Sequence, residues 1–282
     1  MNLADTTERT RPTGGGNRPT GARRGLIISG VAFAVLIVVL GGAVLLSLRQ
    51  AVRPTHHATP HHSYSGVQTL HVKAGSSDIE VAASHGSSKD VSVVEDLSWT
   101  HRRPSVAIDR AGDTLDVHAQ CPDSGLSWGF RTCGVRVRIT VPADMPVDLE
   151  AASGDLTASG LTHAVRLRAS SGDVSLDRLS GPVDARVTSG NVHATALSSE
   201  TVRTQADSGD ISLAFRTAPK AVTAGASSGD VHVEVPRASG GYHVSSTVAS
   251  GDSAVRVSRN DGSARRITVR ASSGDVTVAY RD

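Results

Sequence analysis

Carboxylates recur in this chain at a spacing that could set them in a column. The phrase Ser-Gly-Asp plus an aliphatic residue stands at Ser153-Gly154-Asp155-Leu156, Ser171-Gly172-Asp173-Val174 and Ser208-Gly209-Asp210-Ile211. It returns at Ser228-Gly229-Asp230-Val231 and Ser273-Gly274-Asp275-Val276. Two variants keep the rhythm, Ser189-Gly190-Asn191-Val192 and Ser250-Gly251-Asp252-Ser253. Successive glycines are 18, 18, 19, 20, 22 and 23 residues apart. In a repeat fold of that period the acids would stack ~5 Å apart and repel by ~0.8 kcal/mol per pair in water, which a divalent cation could relieve. Calcium, however, takes about six to eight oxygens, and one carboxylate per ~20 residues is sparse for it. The structural reading is stronger: Gly supplies the positive φ of a tight corner, and Asp or Asn hydrogen-bonds backbone amides as an Asx-turn. We read the phrase as a corner-maker, with no metal site and no cofactor.

Three other groups of residues could carry chemistry. His56, His57, His61 and His62 have ligand-type side chains, but they sit in a Pro- and Thr-rich tract that reads as a solvated linker without preformed geometry. Gly125-Leu126-Ser127-Trp128-Gly129 matches the nucleophile-elbow pattern of hydrolases. That motif needs a strand-turn-helix and a following acid and His, and it lies instead between Cys121 and Cys133 with no helical pattern after it. No His-Glu-x-x-His, Walker or Cys-x-x-Cys motif is present. The expectation is a non-enzyme. The third group is the aromatic and Arg residues Trp99, Arg102, Arg103, Trp128, Phe130 and Arg131, concentrated in a chain that is only 3% aromatic. They form either a contact site or a cap on the end of the repeats.

The elements that must position these residues are short strands. Val135-Arg136-Val137-Arg138-Ile139-Thr140-Val141 alternates without a slip, and Val165, Leu167 and Ala169 lead into one corner while Val174 and Leu176 leave it. Strands this short are not stable as isolated hairpins but are stable when stacked. The expected fold is all-β: a β-solenoid-like stack of about 7–8 layers over residues 67–282, with a conventional antiparallel β-sandwich as the alternative.

Ahead of it the organisation changes. Residues 1–24 read as a disordered tail, 25–48 as an uncharged 24-residue transmembrane helix, and 49–66 as a His/Pro-rich stalk. Residues 1–53 hold seven Arg against Asp5 and Glu8, a balance of +5, which leaves −3 for the rest. That near-neutral remainder argues against nucleic acid as a partner. Five of the Arg precede the span, so the positive-inside rule puts the amino terminus in the cytoplasm and residues 54–282 outside a plasma membrane crossed once. The lone pair Cys121 and Cys133 fits a disulfide in that oxidising compartment.

The run 135–142, then Val147-Asp148-Leu149-Glu150-Ala151-Ala152-Ser153-Gly154-Asp155-Leu156 and the serial copies, resemble the bacterial "putative adhesin" family, over about residues 67–282. The resemblance implies a β-strand-repeat domain behind a membrane anchor and carries no catalytic motif. It implies surface adhesion, and some members are associated with cell-envelope stress. The expected function is an anchored binding or scaffold module, in contact with the lipid bilayer through 25–48 and with cell-wall polymer or another envelope protein outside. The alternative is a membrane-anchored envelope-stress sensor; a glycan-active β-helix enzyme ranks below both.

Overall fold

Alternation along each strand becomes a two-sided sheet: Val165, Leu167 and Ala169 are buried while Arg166, Arg168 and Ser170 are exposed. The structure is a computed structural model and describes residues 55–86, 88–100, 102–122 and 133–281. The expected tail and transmembrane helix lie outside these residues, as do Trp128, Phe130 and Arg131. The first strands are β1 (His56–Ala58), β2 (His61–Tyr64), β3 (Thr69–Ser76), β4 (Asp78–Ala83), β5 (Val91–Trp99), β6 (Ser105–Ala111), β7 (Thr114–Gln120) and β8 (Cys133–Val141). Then come β9 (Val147–Ser153), β10 (Leu156–Ser159), β11 (Val165–Ser171), β12 (Val174–Asp177), β13 (Val183–Ser189), β14 (Val192–Leu197), β15 (Thr201–Ser208) and β16 (Ile211–Phe215). The chain ends with β17 (Ala221–Ser228), β18 (Val231–Val235), β19 (His243–Ser250), β20 (Ser253–Val255), β21 (Arg266–Ser273) and β22 (Val276–Tyr280).

These strands form two sheets. One has 12 strands in the order β1-β5-β8-β4-β10-β12-β14-β16-β18-β22-β20, with β2 also on β5. The other has 10, in the order β19-β21-β17-β15-β13-β11-β9-β3-β7-β6. From β8 and β7 onward every neighbouring pair is parallel. The antiparallel sandwich is therefore set aside in favour of a solenoid-like stack. Each layer contributes one strand to each sheet, and the side chains between the sheets form one core. Leu156, Val174, Val192, Ile211, Val231 and Val276 are in register across six layers and all buried.

Three features differ from the expectation. Among the described residues the stack has ten two-strand layers rather than 7–8, about 43 Å at ~4.8 Å per step. The two extra layers lack the Ser-Gly-Asp phrase. In β7–β8 the corner is the Cys121–Cys133 disulfide, whose Cα atoms are 6.1 Å apart, and β5–β6 runs antiparallel to it as an end layer. Second, the layers do not follow chain order. β21 and β22 sit directly on β17 and β18, and β19 and β20 lie outside them. The chain thus visits the terminal layer first and returns to fill the gap, which explains the lengthening steps near the end. Third, the stalk expected over 49–66 is not linker from His56 on. β1 and β2 pair antiparallel with β5, so the ordered domain begins before residue 67. The tract's polar composition hid a strand pair that β5 supplies with a hydrogen-bonding edge.

Candidate functional site at the amino-terminal end

The recurring carboxylates do form a column, and in all but the terminal Asp252 one oxygen accepts a backbone N–H from the next layer. Oδ1 of Asp155 accepts the N–H of Asp173 at 2.9 Å, Asp173 accepts that of Asn191 at 2.7 Å, and Asn191 accepts that of Asp210 at 2.9 Å. The ladder continues through Asp230 and Asp275 to the N–H of Asp252. At its other end Asp78, in a degenerate first copy, accepts the N–H of Asp155 at 3.3 Å. These bonds join one layer to the next, whereas the expected Asx-turn closes on its own corner. The glycine is needed twice over. At Gly209 φ is +135°, and a Cβ there would lie 2.0 Å from the carbonyl oxygen of Gly190 in the layer below. Among the described residues no group of three or more His, Cys, Asp or Glu side chains is gathered for a metal ion.

Chemistry of another kind collects at the end of the stack where β1 and β2 lie on β5. Register sets Trp99 opposite both His56 and Cys133. The His56 ring stacks on Trp99 with centroids 5.6 Å apart, and the Arg103 guanidinium lies 5.6 Å from the centroid of the same indole. Trp99 is half-buried and packs against the core, while Arg102 and Arg103 are exposed. The structure therefore brings Trp99 and Arg103 together at the disulfide, where the loop to Trp128, Phe130 and Arg131 begins.

Glu95 was missed in the sequence, where it reads as one polar residue in a strand. It stands in the inward series Val91, Val93, Glu95, Leu97 and is 5% exposed. Burial pushes its carboxyl up from the ordinary glutamate range. The His62 imidazole 3.3 Å away and the Arg103 charge oppose that shift. His62 also stacks on Tyr64. The four histidines thus divide: His56 and His62 share the inward face of β5 with Trp99 and Glu95, and His57 and His61 pair with the outward Ser98 and Val94. Beside the first corner a groove of about 560 Å³ is lined by His57, Asp78, Asp96, Ser98 and Arg136, with Arg136 bonded to Asp78 at 3.1 Å.

A family profile described as Toastrack DUF4097 matches residues 60–279, from β2 through β22. The chain belongs to the Toastrack DUF4097 family. That match begins inside the tract first read as stalk, in keeping with the pairing of β2 on β5. Solved structures of similar architecture include a putative cell adhesion protein from Clostridium sporogenes, at 10% identity, with 80% of this chain and 100% of that chain covered and a TM-score of 0.42. A putative adhesin from Bacteroides fragilis is 13% identical, covers 79% of this chain and 97% of its own, and scores 0.45. A putative lipid binding protein from Parabacteroides distasonis is 11% identical over 79% and 96%, with a score of 0.32. No curated protein matches the chain. The membership of this Toastrack domain rests on the family profile and on the ladder of layers described above.

Proposed function

We propose that this Toastrack protein is a non-enzymatic surface module for adhesion or scaffolding. In this reading residues 25–48 anchor it in the plasma membrane with the amino terminus in the cytoplasm, and the stack stands outside. One observation carries the reading: register places Trp99 between His56 and Cys133, with Arg103 on its ring, at one end of a stiff ten-layer stack. Aromatic and Arg side chains are favoured in contact surfaces, and a stack in which each layer is hydrogen-bonded to the next holds them still. The contact surface comprises Trp99, Arg102 and Arg103, extended by Trp128, Phe130 and Arg131 of the disulfide loop. Its partner is cell-wall polymer or another envelope protein. Capture of envelope material by immobilised residues 54–282 tests this, with Arg102→Glu and Trp128→Ala as variants whose melting temperatures match the parent. Reduced capture by both variants is expected. Equal capture by all three proteins overturns the contact surface, and turnover of envelope glycan by the purified domain overturns the non-enzymatic reading.

A further inference from the structure

The two ends of the stack are finished differently. At the amino-terminal end β6, antiparallel on β7, is the outermost strand of one sheet, and β1 and β2 cover β5 of the other. At the carboxy-terminal end β19 is the outermost strand of its sheet over eight residues, and β20 is the outermost of the other. Tyr242 and His243 reveal which backbone groups face outward. The N–H of His243 donates to Arg265 O on the side of β21, whereas the N–H of Tyr242 donates to Ser258 O and its carbonyl accepts from Asn260. Strand alternation then points the backbone groups of Val244, Ser246 and Val248 away from the stack. Val244, Val248 and Val255 face the core from this layer and are only half-buried, unlike their fully covered counterparts Ile267, Ala271 and Val278 one layer in. The hydroxyls of Ser246 and Ser253 meet across the core at 2.6 Å, which aligns the two sheets at this end.

Charge at the same end is unspent. Asp252 is the last rung of the corner ladder. Its N–H is bonded to Asp275, and among the described residues nothing donates to its own carboxylate. Arg259, exposed on the segment that covers Tyr242, has no ion-pair partner among the described residues.

We propose that this end is a homodimer interface, in which two copies join antiparallel through β19. The edge is self-complementary. A two-fold axis at Ser246 sets Ser246 against its copy and Val244 against Val248 of the second chain, with the outward N–H and C=O groups of all three paired. Because Ser246 and Ser253 face each other, the same axis passes by Ser253, the first of the three residues of β20. Pairing stops at Tyr242, whose outward groups are already taken by Ser258 and Asn260. At that point the corner of one copy, with Asp252, meets the Arg259 segment of the other, and the two-fold makes this contact twice. Joining the ends also covers the half-buried valines. A closed two-fold pair covers both outermost strands at this end, so no further strand can add there.

Sedimentation velocity and mass photometry on the full-length protein in detergent, across the micromolar range, test the proposal. A dimer is expected. Asp252→Arg and Arg259→Asp each place like charges together and should weaken it about tenfold or more, and the double exchange should return it to within about threefold of the parent. Among the described residues the two side chains make no hydrogen bond or ion pair, so the variants should keep the parent melting temperature. A monomer at every concentration, growth beyond the dimer, or a dimer indifferent to both single reversals overturns the proposal.

Discussion

Asp230 sits between two other carboxylates in the corner column: Asp210 below it donates no charge relief, and Asp275 above it supplies only the N–H that Oδ1 accepts at 2.7 Å. What the layer needs from this side chain is an acceptor, and Asn191 meets the same need two rungs away. Asp230→Asn should therefore leave the melting temperature unchanged or slightly raised, since it also removes two like-charge neighbours. Asp230→Ala should cost about 1–2 kcal/mol, read by chemical denaturation, because the N–H of Asp275 loses its partner. A second column was not legible. Gly160, Arg178 and Ala196 follow one another at 18-residue steps with φ of 71°, 50° and 52°, so the other corner also demands a left-handed residue. Only Gly160 announces it. Ala196→Gly should stabilise the domain by about 1 kcal/mol by relieving that strain, less the backbone entropy of the new glycine. No gain in denaturation midpoint would mean the corner relaxes around alanine.

At the scale of elements, β9, β11, β13, β15 and β17 were legible because each alternates cleanly and ends on a glycine corner. β1 and β2 were not, because three- and four-residue strands reading His-His-Ala and His-His-Ser-Tyr have no apolar period to read. Their strand character comes from β5, which offers a free edge and, through Glu95, a reason for His62 to turn inward. The sign of the pH effect follows from the raised Glu95 carboxyl. A carboxyl raised on folding contributes stability fully present below its unfolded value and lost as pH rises through the folded one. At neutral pH the buried charge is thus a net cost, offset in part by His62 and Arg103. Glu95→Gln should raise the melting temperature at about pH 7 and make little difference at about pH 3, where the carboxyl is protonated in both states. The opposite order, with the parent more stable at neutral pH, would show that the His62 pairing outweighs burial. The same partnership explains why the contact residues were only half legible: the clustering of Trp99 with Arg103 could be seen in the sequence, but the stacking of His56 on that indole depends on a pairing 43 residues apart.

For the whole molecule, the crossing at the carboxy-terminal end has a consequence for how the stack tolerates change. Repeat order in the sequence suggested repeat order in space, and it holds for every layer from Gly154 to Gly229. It fails after that because parallel pairing is decided by which edge is free, and nothing local distinguishes β19 from β21. β19 and β20 are thus an excursion from the stack that the chain makes before laying its last inner layer. Gly229 and Gly274 are 45 residues apart and in adjacent layers. Removing residues 238–261, which are 24 in number, leaves a step of 21, within the 18–23 of the other copies. Pro236, Arg237 and Gly262–Arg265 would then link β18 to β21, much as Arg216–Lys220 links β16 to β17. The shortened chain should fold as a nine-layer stack with β-type circular dichroism and a single cooperative transition. Its midpoint should fall, since stability in a stacked repeat is close to a sum of layers and interfaces and one of each is lost, together with buried Tyr242. A chain that fails to fold would show instead that the terminal layer, with the Ser246–Ser253 contact closing the core, must be present before β21 and β22 can settle beneath it.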